Sequence, residues 1–210
     1  MHAKRISRKQ CSVARSRALK LIQQVRKQLK DKYKFADRLV GSGKWGTMIE
    51  DENGEYDLDY QILLTKNSKD YDKSPTEIKK DFLKAFESCK NANENFQNST
   101  TAITLVNKNN QPFHIDFVII RWFPENKEII RRNNKVETPT RNEFTWNQLP
   151  KWNSAYLKFK ELSPTLKQDL IDNHIIPAKI KEKNKSENDH TKISSAQVFV
   201  REVNNYVNKR

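Results

Sequence analysis

The sequence predicts an α+β fold, a mixed sheet with flanking helices followed by a reduced helical lobe. Three observations carry this. Strand-like runs at 35–40, 57–64, 101–106 and 113–122 are interleaved with segments of helical period. Gly41, Gly43, Gly46 and Gly54, the only glycines in the chain, all fall between the first two runs. Beyond residue 152 the pattern is helical only. No internal repeat interrupts this order. The chain therefore divides into a basic N-terminal helix over 1–34, a sheet-bearing core over 35–150 and a helical lobe over 151–210.

From Val13 to Leu29, the apolar residues Ala18, Leu21, Ile22, Val25 and Leu29 recur at spacings of three and four. Arg15, Arg17, Lys20, Arg26, Lys27 and Lys30 surround them, so the segment reads as an amphipathic basic helix. Phe35–Val40 is a short strand that stops at Gly41. Glycine is needed where the backbone takes a positive φ or approaches a ligand closely, so the cluster predicts one special loop. Asp57–Leu64 alternates and then turns apolar, as a strand does. Ser74-Pro75-Thr76-Glu77 combines an N-cap residue, a proline at the first helical position and the Glu of a capping box. It predicts a helix from Pro75 to Lys90 with Ile78, Phe82, Ala85, Phe86 and Cys89 inward. Thr101–Val106 and Phe113–Trp122, joined by Asn107–Gln111, read as a β-hairpin with Asp116 in its second strand. After Trp152, Leu157, Leu162, Leu166 and Leu170 keep helical spacing, Lys181–Lys192 is a polar, exposed loop, and Val198–Val207 forms a last helix.

With 40 Lys plus Arg against 26 Asp plus Glu, the net charge is +14. Such a surface seeks polyanions, and nucleic acid or nucleotide phosphate suits it best, although the same charge also serves solubility. Cys11 and Cys89 lie far apart and lack partners at metal-ligand spacing, which excludes a zinc site and a disulfide framework. The N-terminus lacks a secretory pattern and no run is long enough to span a bilayer, so the expectation is a cytoplasmic protein with no membrane partner.

Asp57 and Asp59, two apart on a strand, share one sheet face. Asp116 lies inside the apolar run Phe113–Ile120, where an unpaired carboxylate is expensive to bury, so it needs a metal or an ion-pair partner. Three converging carboxylates need a cation, and hard oxygen ligands suit Mg²⁺ or Mn²⁺. Two such ions can clamp an in-line displacement at phosphorus. The loop at Gly41-Ser42-Gly43 can aim backbone N–H groups and a hydroxyl at a triphosphate. Taken singly, each Asp of the pair also fits a solvated strand end. His114 shares a strand face with Asp116 and fits packing or hydrogen bonding better than catalysis. Trp146, Trp152 and Tyr156 can stack on a base, though aromatics at such a place more often belong to a core.

Gly41-Ser42-x-x-x-Gly46-Thr47, followed by Asp57-x-Asp59 and a later Asp116 in a strand, resembles the signature of the polymerase-β nucleotidyltransferase superfamily. The Gly-Ser-x-x-x-Gly-Thr form is most similar to the branch of cyclic GMP-AMP synthase, the bacterial cyclic-oligonucleotide synthases and the oligoadenylate synthases. The resemblance implies a polymerase-β-like lobe with two Mg²⁺ or Mn²⁺ ions. Asp57 and Asp59 then ligate both ions, Asp116 ligates one and helps activate the acceptor hydroxyl, and Gly41, Ser42 and Thr47 serve nucleotide binding. It further implies that Lys179, in Pro177-Ala178-Lys179-Ile180, and Ser195, after Lys192-Ile193-Ser194, hold the triphosphate. Family members continue well past that helix, so the lobe is expected to be reduced, or completed by a partner.

The expected activity is transfer of NMP from an NTP, ATP first among them, to a 2′- or 3′-hydroxyl with loss of pyrophosphate. The expected product is a cyclic or linear oligonucleotide. Transfer to an RNA end or to a protein in a toxin-like enzyme, and an inactive nucleic-acid-binding module, are the alternatives. Arg15, Arg17, Arg26, Lys27 and Lys30 are the residues expected to meet nucleic acid, as activator or acceptor.

Overall fold

The computed structural model describes residues 3–7, 9–108, 112–122, 126–134, 142–149, 153–186 and 188–209. Asn109, Asn110 and Gln111 of the expected hairpin loop, and Trp152, lie outside them. In chain order the elements are β1 (Lys4–Arg5), α1 (Ser12–Gln28), β2 (Phe35–Val40), α2 (Gly41–Trp45), β3 (Ile49–Glu50), β4 (Tyr56–Leu64) and α3 (Pro75–Glu87). There follow β5 (Glu94–Asn98), β6 (Ala102–Asn107), β7 (Phe113–Trp122), β8 (Lys127–Arg132) and β9 (Phe144–Gln148). The chain ends in α4 (Asn153–Glu161), α5 (Pro164–Asp169), a π-helical turn (Leu170–Ile175), α6 (Ile176–Lys183) and α7 (Ser195–Asn208). These form two compact units: a sheet unit of Cys11–Val40 and Asp57–Leu149, and a helical unit of Met1–Gln10, Gly41–Tyr56 and Pro150–Arg210. Among the described residues no helix is long and apolar enough to cross a membrane.

In the sheet unit, the strand order is β2-β4-β7-β6-β5, with β8 pairing β7 and β9 pairing β8. The hairpin is present: β6 and β7 run antiparallel with Thr104 opposite Asp116 and Asn107 opposite Phe113. Period-two alternation sorts the faces. Along β4, Leu58, Tyr60, Ile62 and Leu64 are buried, and Asp57, Asp59 and Gln61, which alternate with them, take the opposite face. Along β7, Phe113, Ile115 and Phe117 are buried and His114 and Asp116 alternate with them. α1 and α3 pack together and onto this sheet, with Leu21, Ile22 and Val25 from one and Ile78, Phe82 and Phe86 from the other fully buried. Phe86 stacks on Phe117 at 4.4 Å. Each such buried side chain stabilises by about 1.5–3 kcal/mol, which is what holds the carboxylate-bearing strands in place. α3 begins with the expected capping box of Ser74 and Glu77.

Arg17, expected from the sequence to meet nucleic acid, is turned inward. Its Nε and Nη2 donate to the two carboxylate oxygens of Glu94 at 2.6 Å each, and Nη2 also donates to the Cys89 carbonyl at 2.8 Å. The two side chains are 10% and 2% exposed. Burial alone would raise the Glu94 pKa, but Arg17 and the Asn91 amide hold it below the usual carboxylate range. Arg17→Ala is therefore expected to destabilise the protein by about 3–5 kcal/mol, because Glu94 stays buried without its counter-charge. Urea unfolding monitored by circular dichroism checks this, and a loss below about 1 kcal/mol, typical of surface pairs, contradicts it.

In the helical unit, β1 and β3 pair through Lys4 opposite Glu50. Ala155, Phe159, Leu170, Ile175, Phe199 and Val203 form its core. Three expectations are corrected here. Leu157, the first of the leucines at helical spacing, is 54% exposed, because the core face of α4 is carried by Ala155 and Phe159. The Lys181–Lys192 loop begins later than expected, since α6 runs to Lys183 and Glu182 is buried against Lys185, Arg201 and the Ile193 amide. The glycine loop contains one short helical turn, α2, whose Trp45 lies among Tyr156, Phe159 and Phe199.

Candidate active site

The sheet unit places Asp57, Asp59 and Asp116 on one side of two adjacent strands, β4 and β7. The side chain of Asp57 is 64% exposed, and its Oδ1 lies 3.3 Å from His114 Nδ1. Asp59 sits opposite Val40, the last residue of β2, in the β2–β4 ladder. Asp116 Oδ1 accepts a hydrogen bond from Thr104 Oγ1 at 2.6 Å. Burial raises the Asp116 pKa above the usual carboxylate range, and the nearby Asp57 charge raises it further, against the Thr104 bond and the charges of His114 and Lys79. The charge of exposed Asp57 thus adds to the cost of burying a second carboxylate at Asp116, which favours a shared cation.

Among the described residues no three His, Cys, Asp or Glu side chains are gathered as a ready-made metal cage. The oxygen donors of Asp57, Asp59 and Asp116 are nonetheless the set with the chemistry for a hard divalent ion. Asp57 would exchange its contact with His114 for it.

Lys79 was not singled out by the sequence. It lies on α3, 1% exposed, donates to the Ser99 carbonyl at 2.9 Å and sits 4.4 Å over the Phe144 ring. Burial first, and Arg132 second, push its pKa down to about 7, against the pull of Asp116. Helical spacing could have found it, since it stands three residues before Phe82 on the inward stripe.

The helical unit brings together residues that the sequence places far apart. Lys179 is 3% exposed, and its Nζ donates to Ser42 Oγ at 3.1 Å, to the Thr47 carbonyl at 2.9 Å and to Thr47 Oγ1 at 3.2 Å. Thr47 N also closes the loop onto the Ser42 carbonyl at 3.1 Å. Gly41 and Gly46 take φ values of 59° and 71°, which a side chain would strain. An ammonium bonded to a lone pair of Ser42 directs the hydroxyl proton elsewhere, so Ser42 can donate to a phosphate oxygen. Ser195 does not join this cluster: it is exposed on the first turn of α7, and Ser194 caps that helix.

Of the expected nucleic-acid residues, Lys27 and Lys30 are exposed. Arg15 hydrogen-bonds Tyr60, and Arg26 pairs with Asp37 at 2.6 Å and lies 5.0 Å over Phe35. Among the aromatics, Tyr156 stacks on Phe199 at 5.1 Å in the core of the helical unit, and Trp146 lies under Arg121 at 4.3 Å.

No family model and no curated protein matches the chain. Solved structures match it in fold. The STING-associated CdnE c-di-GMP synthase from Capnocytophaga granulosa aligns with 99% of this chain and 64% of its own, at a TM-score of 0.62 and 16% identity. Escherichia coli DncV in its 3′-deoxy GTP bound form aligns over 95% and 61%, at 0.59 and 16%. The Bradyrhizobium diazoefficiens CD-NTase CdnG in complex with GTP aligns over 74% and 42%, at 0.52 and 17%. The chain thus spans between 42% and 64% of the length of these structures.

Proposed function

We propose that this chain, whose fold is that of the polymerase-β-type nucleotidyltransferases, transfers NMP from an NTP to a hydroxyl acceptor. The reading is carried by one observation: Asp116, its proton affinity raised by burial and by Asp57, stands on the same side of the sheet as the Asp57–Asp59 pair. The acceptor oxygen bonds to the α-phosphorus, the bond from that phosphorus to the bridging oxygen breaks, and pyrophosphate leaves. Asp57, Asp59 and Asp116 hold Mg²⁺ or Mn²⁺, which when bound neutralises charge on the phosphates. Asp116 would ligate one ion and help activate the attacking hydroxyl, accepting its proton as the oxygen bonds to phosphorus. Ser42 donates to a phosphate oxygen of the NTP, and Lys179 with Thr47 shapes the loop that presents it.

An oligonucleotide, cyclic or linear, is the product we favour, in keeping with the cyclic dinucleotide synthase among the fold matches. Nucleic acid is proposed as an activator or acceptor through exposed Lys27 and Lys30, and the compartment as the cytoplasm. Incubation with α-labelled NTPs and Mg²⁺, with and without RNA, tests this. Label in small phosphatase-resistant products supports the synthase, label on RNA or protein supports the transferase alternatives, and label remaining in NTP alone contradicts transfer.

A further inference from the structure

The hydrogen bonds behind Asp116 have a direction that follows from counting protons. Thr104 stands directly across from Asp116 in the β6–β7 ladder. Its Oγ1 lies 2.6 Å from Asp116 Oδ1 and 3.0 Å from Ser99 Oγ. A hydroxyl has one proton, and an ionised carboxylate only accepts. The Thr104 proton therefore points to Asp116, and the Thr104 oxygen receives the proton of Ser99. Both protons are thus assigned.

Ser99 is itself held firmly. Its amide donates to the Ala102 carbonyl at 3.0 Å, and its own carbonyl accepts from buried Lys79 at 2.9 Å. The flanking turn is pinned by Arg132, whose Nη2 donates to the Asn98 carbonyl and whose amide donates to the Thr100 carbonyl, each at 2.7 Å. A hydroxyl chain anchored in this way fixes the rotation of the carboxylate at its end, because Oδ1 is committed to one donor in the ladder.

We propose that Thr104 and Ser99 are positioning residues that lock Asp116 with Oδ1 toward β6 and Oδ2 turned to a divalent cation. This rests on the reading of Asp116 as a metal ligand. Groups that orient a ligating carboxylate cost about 10–100-fold in metal affinity when removed. Lys79 acts one step further back, by holding the Ser99 backbone.

The test is Mn²⁺ binding, measured by calorimetry on the full chain, beside NTP turnover. Thr104→Val keeps the shape and deletes the proton. It is expected to weaken Mn²⁺ binding about 10–100-fold and to lower kcat while leaving the KM for NTP nearly unchanged. Thr104→Ser restores both, and Ser99→Ala moves both in the same direction by less. Thr104→Ala replaces the valine variant should that not fold. Asp116→Asn separates the two readings. If it weakens Mn²⁺ binding and Thr104→Val does not, the hydroxyl chain has no positioning role and the metal site stands. If Asp116→Asn leaves Mn²⁺ affinity unchanged, both readings fall.

Discussion

Changing Asp57 and Asp59 together to Asn is expected to reduce nucleotidyl transfer by roughly a thousand-fold or more while leaving the protein folded. The carboxylates supply the negative charge that a divalent ion needs. Several kcal/mol of transition-state stabilisation depend on that ion, and about 4 kcal/mol corresponds to roughly a thousand-fold in rate. The folded state loses little. Asp57 is 64% exposed and its contact with His114 is a surface one, worth less than about 1 kcal/mol. Removing charge beside Asp116 also relieves repulsion, so the thermal midpoint should stay or rise slightly. Asp57 contributes to the raised pKa of Asp116, so the double variant should also titrate Asp116 at lower pH, which NMR can follow. Undiminished turnover would remove the metal site from the account.

Lys179→Met is the second large effect. Its ammonium donates to Ser42 Oγ, the Thr47 carbonyl and Thr47 Oγ1, all in the Gly41–Thr47 loop, and each buried acceptor left unpaired costs about 1–3 kcal/mol. A loss of about 2–4 kcal/mol in stability is expected, together with a marked rise in the KM for NTP as the loop loosens. Ser42→Ala separates the two roles. It deletes one acceptor of Lys179, a small stability loss, but it also deletes the hydroxyl that meets phosphate. Ser42→Ala should therefore lower kcat/KM by about 10-fold or more, the effect of a charge-assisted hydrogen bond, with a midpoint close to wild type. If Ser42→Ala unfolds readily and yet turns over normally, the loop is a structural element only.

Much of the sheet unit was legible because its signals are local. The period-two alternation of β4 and β7 fixes the face of Asp57, Asp59 and Asp116, and the Ser74–Glu77 capping box starts α3 at Pro75 as expected. What was not legible depends on register and on distant partners. Ending β6 at Val106 and starting β7 at Phe113 would set Ile103 across from Asp116, whereas the ladder pairs Asn107 with Phe113 and brings Thr104 there. Arg17 and Arg26 read as surface cations on a basic helix, because Glu94 lies far away in sequence and Asp37, though near, stands on the separate strand β2. β8 and β9 escaped notice since Lys127, Glu128, Arg131 and Arg132 mask the pair of isoleucines between them. In the helical unit, α4 ends at Glu161 and α5 starts anew at Pro164, so leucine spacing counted across the break misses that Ala155 and Phe159 carry the core face of α4 while Leu157 is exposed. The pairing of Lys179 with Ser42 was expected only as two residues serving one triphosphate, and their direct hydrogen bond emerged from the fold.

The central claim is metal-dependent attack at the α-phosphorus, and the most direct measurement is the fate of the phosphates of an NTP labelled at both the α and γ positions. The account predicts that, with Mg²⁺ or Mn²⁺, each NMP incorporated is matched by one pyrophosphate carrying the γ label, and that chelation or the Asp57→Asn/Asp59→Asn change stops both together. Release of inorganic phosphate without incorporation of the α label, or transfer that continues undiminished in the presence of chelator, would contradict it.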